Sequence, residues 1–142
     1  MRKIDNFERS LRVMHKVDYD EAVEDEIYRM GVIGQFNLTF ELAWKALQEI
    51  MRQYGVSEAE TGSPRDIIKM AYARGFLSDE ERWLLMLRKR NTTIHIYDEE
   101  KADELLILIR DTFIPSLDRL KEDLRQRMEN EEEYSSGEQG TD

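Results

Sequence analysis

The chain has 142 residues, 40% of them hydrophobic and 37% charged, which fits one domain able to bury a core. Its formal net charge is −10 and it holds no cysteine and two histidines, so disulfides, thiol chemistry and thiolate metal sites are excluded and a histidine-rich metal site is not indicated. No apolar run approaches the ~20 residues of a bilayer span, and the N-terminus MRKIDNFERSLRV lacks a signal-peptide core, so a cytosolic location without membrane contact is expected.

Only two prolines and seven glycines occur, and no segment alternates apolar and polar residues for long enough to make a strand. The expected class is therefore all-α. A first helix over roughly 5 to 17 carries Phe7, Leu11 and Met14 on one face, and an acidic connection, Asp18 to Glu26, follows. A long second helix over roughly 22 to 54 holds the series Ile33, Phe36, Phe40, Trp44, Leu47, Met51, Tyr54 at helical spacing. Gly31 and Gly34 interrupt it, and each costs about 1 kcal/mol relative to alanine, which predicts a close helix crossing or a bend there.

Gly55 to Gly62 reads as a loop. Ser63-Pro64-Arg65-Asp66 opens a third helix with a capping serine, a first-position proline and an acid that reaches back; Gly75 ends it. Ser78-Asp79-Glu80-Glu81 repeats the capping logic for a fourth helix, whose line Trp83, Met86, Leu87 runs on to Arg90. Arg90 thus falls on the inward stripe, where a half-buried guanidinium needs an anionic partner. Asp98-Glu99-Glu100 begins a fifth helix with the stripe Ala102, Leu105, Ile109, Phe113, Leu117, Leu120, Leu124, and Pro115 predicts a kink within it. The ordered bundle is expected over 1–128, with 129–142, ENEEEYSSGEQGTD from Glu129, as an acidic disordered tail.

Where the fourth helix runs out the chain reads Arg90-Asn91-Thr92-Thr93-Ile94-His95-Ile96-Tyr97. An imidazole moves a proton near neutral pH, a guanidinium grips phosphate oxygens, and Asn91 adds an amide. The same residues also suit plain helix capping. Residues 62 to 95 carry seven basic and four acidic side chains, +3, while 1 to 61 sum to −4 and 96 to 142 to −9, so the one positive segment contains this constellation. Trp44 and Trp83 read as core rather than base-stacking platforms, and His15 as a surface or packing residue.

The order of these features resembles the HEPN proteins, whose shared pattern is Arg, four to six residues, then His. The matching residues are Phe40-Glu41-Leu42-Ala43-Trp44-Lys45, Ser63-Pro64-Arg65, Ala73-Arg74-Gly75-Phe76, Trp83, and Arg90-Asn91 with His95-Ile96-Tyr97-Asp98-Glu99. They are most similar to the branch called nucleotidyltransferase substrate-binding proteins, over roughly residues 4 to 125. Ile94 departs from that branch, which often has a small polar residue there.

The resemblance implies an up-and-down four-helix bundle with an additional short helix, forming a homodimer that brings two Arg-His motifs into one cleft. It also implies a metal-independent ribonuclease toxin without a cofactor, in which Arg90 and His95 are catalytic and Asn91 supports them. Its partner would be a minimal nucleotidyltransferase antitoxin, which in related pairs transfers AMP to the tyrosine of Arg-x4-His-x-Tyr, here Tyr97. Three readings stay open: an RNA-cleaving toxin, a nucleotide- or substrate-binding subunit of a nucleotidyltransferase complex, and a helical dimerisation module.

Overall fold

A computed structural model describes residues 2–90 and 98–139. All regular structure among them is helical: α1 (Arg2–Met14), α2 (Tyr19–Glu24), α3 (Glu26–Gln53), a 3₁₀ turn (Ser57–Glu60), α4 (Pro64–Ala73), α5 (Glu80–Arg90), α6 (Glu99–Leu108), a π-helical turn (Ile109–Phe113) and α7 (Ile114–Gln139). No helix among the described residues is long and apolar enough to cross a membrane.

The central element is α3, against which α1, α2, α4, α5 and α7 all pack. Its Phe36, Phe40, Ala43, Leu47 and Ile50 are fully buried. Phe36 stacks on Phe113 of the π turn at 5.3 Å between ring centres, and Phe40 meets Trp83 of α5 at 6.0 Å. Burying side chains of this size contributes about 1.5–3 kcal/mol each. On another side of α3, α1 lays down Ile4, Phe7, Leu11 and Met14, with a polar link in which Ser10 and Thr39 hydroxyls sit 2.6 Å apart. Both tryptophans belong to the core, Trp83 completely and Trp44 nearly so.

The expected long helix over 22 to 54 is divided at Asp25. That residue is extended (φ −114°, ψ 112°), its N–H donates to the Glu21 carbonyl, and its carboxylate accepts the amides of Ile27 and Tyr28 at 2.9 and 3.1 Å. One side chain thus closes α2 and opens α3. From there α3 runs unbroken through Gly31 and Gly34, and a Cβ built on either glycine meets nothing within 4 Å among the described residues. The expected crossing at the glycines has no partner within the described chain.

The helix α4 begins on a complete capping box: Ser63 accepts the Asp66 amide and Asp66 accepts the Ser63 amide. It ends at Gly75 (φ +79°) in a Schellman arrangement, Phe76 N–H to Ala71 O at 2.8 Å and Gly75 N–H to Tyr72 O at 3.2 Å. Asp79, rather than Ser78, caps α5, accepting the Arg82 amide. Asp98 caps α6 through the Lys101 amide. The loop after α3 contains the 3₁₀ turn, held by Gln48, whose Nε2 donates to Ala59 O at 2.9 Å.

The irregularity expected at Pro115 is a π turn one residue upstream of α7. The Ile114 N–H reaches back five residues to Ile109 O. A proline ring would press on the carbonyl four residues before it, that of Asp111, and widening the turn relieves this. The backbone of α7 stays helical to Gln139, into the segment whose composition predicts a disordered tail; glutamate and glutamine are good helix formers.

Charged contacts fasten α1 to α7. Arg125 donates through Nε to Glu8 and through Nη2 to Asp5 at 2.7 Å, and His15 Nε2 lies 2.7 Å from Asp118, a packing role at the surface. The Arg125 hydrogen bond holds the Asp5 carboxyl below its ordinary value. A depressed carboxyl pKa means a contribution fully present above the unfolded value, near 3.9, and lost as pH falls through the folded value. Asp5→Asn should therefore lower thermal stability at pH 6 and lower it less and less as the pH falls, flattening the acid limb of a Tm–pH curve measured by circular dichroism.

Candidate functional site

Arg90 closes α5 on the face that carries Trp83 and Met86, and its side chain is 23% exposed. Its guanidinium carbon lies 5.6 Å from the centre of the Phe40 ring. From Nη1 it donates to Glu41 Oε2. The same oxygen accepts Trp44 Nε1–H at 3.1 Å, while Lys45 Nζ lies 3.5 Å from Oε1. Glu41 therefore joins three donors from α3 and α5, and the arginine is clamped between this carboxylate and an aromatic face.

Arg90 is where the sequence places it, half-buried and inward. Its anionic partner, however, comes from its own chain, so burial of Arg90 gives no argument for a second subunit. Glu41 escaped the sequence reading as a site residue. The available signal was its spacing: it precedes Trp44 by three and Lys45 by four, so all three share one flank of α3. Asn91, His95 and Tyr97 lie outside the described residues.

The points at which that segment leaves and rejoins the fold are well held. At its start stands Arg90. At its end Asp98 caps α6, and the neighbouring Glu99 lies 4.0 Å from Nη2 of Arg29. Arg29, buried on α3, donates through Nη1 to the carbonyls of Ala22 and Val23 at 3.4 and 3.1 Å, answering the C-terminal end of α2. It too was invisible in sequence, because the packing of α2 and α6 around α3 decides its partners.

The positive character of residues 62 to 95 is largely answered locally. Lys69 faces Glu80 at 3.7 Å, Arg74 faces Glu58 at 3.0 Å, Arg82 faces Asp79 at 3.0 Å, and Arg90 faces Glu41. Among the described residues no group of three or more His, Cys, Asp or Glu side chains is arranged to hold a metal ion. What the geometry offers is a guanidinium held by Glu41 and Phe40 at the point where the segment that contains the histidine begins.

Residues 2–126 match the family described as "Nucleotidyltransferase substrate binding protein like". The chain belongs to this family. Within the wider HEPN group, it is 30% identical over 112 residues to the "Probable ribonuclease HepT" of Haemophilus influenzae, covering 78% of this chain and 76% of that protein. The fold matches that of HI0074, also from Haemophilus influenzae, with a TM-score of 0.73 and 23% identity over 86% of this chain and 98% of that one. That structure is described as a substrate binding domain of a nucleotidyltransferase. The two descriptions thus differ, one naming cleavage and the other binding.

Removing the Glu41 carboxylate takes a charge-assisted hydrogen bond from a guanidinium that is mostly buried. Glu41→Ala should lower unfolding free energy by about 1–2 kcal/mol, the small end of a charged hydrogen bond because both partners are partly exposed. In urea titrations, adding Arg90→Ala to Glu41→Ala should cost less than Arg90→Ala alone, as coupled neighbours do. Strict additivity would mean the pair contributes nothing.

Proposed function

We propose that this chain is the toxin of a two-component toxin–antitoxin pair, a metal-independent ribonuclease that works through Arg90 and His95. The observation that carries the reading is Arg90 fixed at the end of α5 by Glu41 and Phe40, in a chain 30% identical to a protein named as a probable ribonuclease. In this reading the protein is an up-and-down four-helix bundle with an additional short helix. It forms a homodimer in which two motifs face one cleft, and it acts in the cytoplasm, where RNA is.

The chemistry needs no metal. The ribose 2′-oxygen attacks the adjacent phosphorus as His95 accepts its proton, the bond from phosphorus to the 5′-oxygen breaks, and that oxygen receives a proton in turn, the motif of the second subunit completing the pair. Arg90 stabilises the charge that builds on the phosphorane oxygens, and its rotation is already restrained by the Glu41 clamp. Asn91 orients His95 or contacts a phosphate oxygen.

Purified protein should cleave RNA in the presence of EDTA. His95→Ala should lower the rate by about 10²–10⁴, the usual worth of a general acid or base, with helical circular dichroism intact. A requirement for Mg²⁺, or activity that survives His95→Ala, defeats the mechanism.

A second reading is supported by the description of HI0074 as a substrate-binding domain and by the carboxylates that answer the basic segment: the protein holds a nucleotide or RNA end for a partner nucleotidyltransferase. Nucleotide binding that Arg90→Ala weakens, without RNA cleavage by the wild type, favours that reading.

The proposed antitoxin is a minimal nucleotidyltransferase that adds AMP to Tyr97. The tyrosine oxygen attacks the α-phosphorus of ATP, pyrophosphate leaves, and the phenolic proton passes to a base of the enzyme. The new phosphate would compete for the position beside Arg90 that an RNA phosphate uses. After incubation with that enzyme, ATP and Mg²⁺, mass spectrometry should find one AMP on Tyr97, and Tyr97→Phe should escape silencing. An unmodified tyrosine, or a silenced phenylalanine variant, rules this out.

A further inference from the structure

Between the turn that joins α4 to α5 and the facing side of α7 runs a groove that does not include Arg90. Its wider part, about 740 Å³, is lined by Tyr54, Phe76, Arg119, Asp123, Gln126 and Arg127. It continues into a part of about 390 Å³ that shares Arg119 and Asp123 and reaches Arg82, Trp83 and Pro115. From Pro115 to Asn130 the wall supplied by α7 is about 22 Å long at 1.5 Å per residue.

Arg127 is the centre of its chemistry. The guanidinium carbon lies 4.1 Å from the centre of the Phe76 ring and 5.6 Å from that of Tyr54, and Nη2 donates to Gly75 O at 2.8 Å. That acceptor is a neutral carbonyl rather than a carboxylate. Tyr54 holds the backbone at the same point, its hydroxyl donating to Arg127 O at 2.7 Å. A planar cation is thus seated on an aromatic ring while it lines a cavity. One turn of helix earlier, Arg119 is 70% exposed and approaches Asp123 only to 3.9 Å, a pair weak enough to give way to another anion. Gln126 and Asn130 add amides, and Asp123 a carboxylate, to the same cavity.

We infer that this groove binds single-stranded RNA, with a base stacked on Arg127 and an adjacent phosphate held by Arg119. The inference rests on RNA as the substrate in the proposed function and names where the strand lies beyond the reacting phosphate. Guanidinium planes and aromatic rings are platforms for unstacked bases, and amides and carboxylates suit the donors and acceptors of a base edge. An acidic peptide would use the arginines but not the stacked plane, and Asp123 would repel it. A paired helix keeps its bases stacked on one another, so only a single strand can place one on Arg127. Arg82, in the groove, and Arg90 are eight residues apart on α5, about 12 Å along its axis, which lets one strand reach both.

Fluorescence anisotropy with a labelled, fully 2′-O-methylated octanucleotide tests this, because that strand lacks the attacking hydroxyl and stays intact. Arg119→Ala, at an exposed position, should raise the dissociation constant about fivefold. It should also make the slope of log affinity against log salt shallower by about 0.7, the worth of one phosphate contact on a single strand. Arg127→Lys keeps the charge and loses the planar face, so it should raise the constant about tenfold and leave the slope unchanged. A duplex of the same sequence should bind at least about tenfold more weakly than the strand. A probe that does not bind, or binds both variants like the wild type, overturns the inference. So does a duplex held as tightly as the strand, or free AMP held as tightly, which would make the cavity a mononucleotide site. Groove binding that depends on both arginines, in a chain that cuts no RNA, would count against the proposed ribonuclease alone. Cleavage that His95→Ala abolishes, with probe binding indifferent to both arginines, would count against the groove alone.

Discussion

Phe40 is the residue on which the rest of the site depends. It is fully buried in α3, meets Trp83 on α5, and lies beneath the Arg90 guanidinium two turns further along the same helix. Apolar burial therefore sets the position of a charged group. The Trp83–Phe40 contact fixes the rotation of α5 about its axis, that rotation brings Arg90 inward, and Glu41, the next residue after Phe40, receives it. A side chain whose neighbours are held this firmly loses little freedom on meeting an oxyanion.

The electrostatics are those of pairs rather than of a field. A count of charges along residues 62 to 95 describes a positive segment, but in space most of its described cations stand against carboxylates from other turns or helices. Exposed pairs of this kind contribute at most about 1 kcal/mol each and exchange readily for a phosphate. Arg90 is different in degree, because Phe40 and Trp44 shield its pair with Glu41. In the proposed mechanism the cation that contacts substrate is also the one that ties α5 to α3, so chemistry and fold would share one ion pair.

Much of the fold was legible because it depends on local rules. The Ser63–Asp66 capping box, the Gly75 terminus, the Asp98 cap and the buried stripe from Ala102 to Leu124 all follow from neighbours a few residues apart. What escaped needed three dimensions. Asp25 looked like one more acid in an acidic run, and only its backbone shows that it divides two helices. Glu41 and Arg29 took their partners from 49 and 70 positions away, separations at which spacing carries no information. Of the site residues, Arg90 was legible from the stripe it completes; Asn91, His95 and Tyr97 lie outside the described residues and rest on the motif.

The π turn has a consequence for how this chain tolerates length change. Between Leu105 and Leu117 the buried residues follow at three successive intervals of four, which on an ordinary α-helix carries the apolar line sideways by about 40° at each step. The extra residue in Ile109–Phe113 absorbs that drift and lets the stripe resume at Leu117, Leu120 and Leu124. Deleting one residue there would restore a regular helix and leave the buried residues beyond it in phase, their spacing from Leu105 onward then alternating fours and threes. Deleting one residue further along α7, before Leu120, would instead turn everything beyond it by about 100°, swinging Leu120 and Leu124 from the core and Arg125 away from Asp5 and Glu8. A stretch that looks like a local irregularity is thus the place where the helix takes up one residue of length without losing the face it buries.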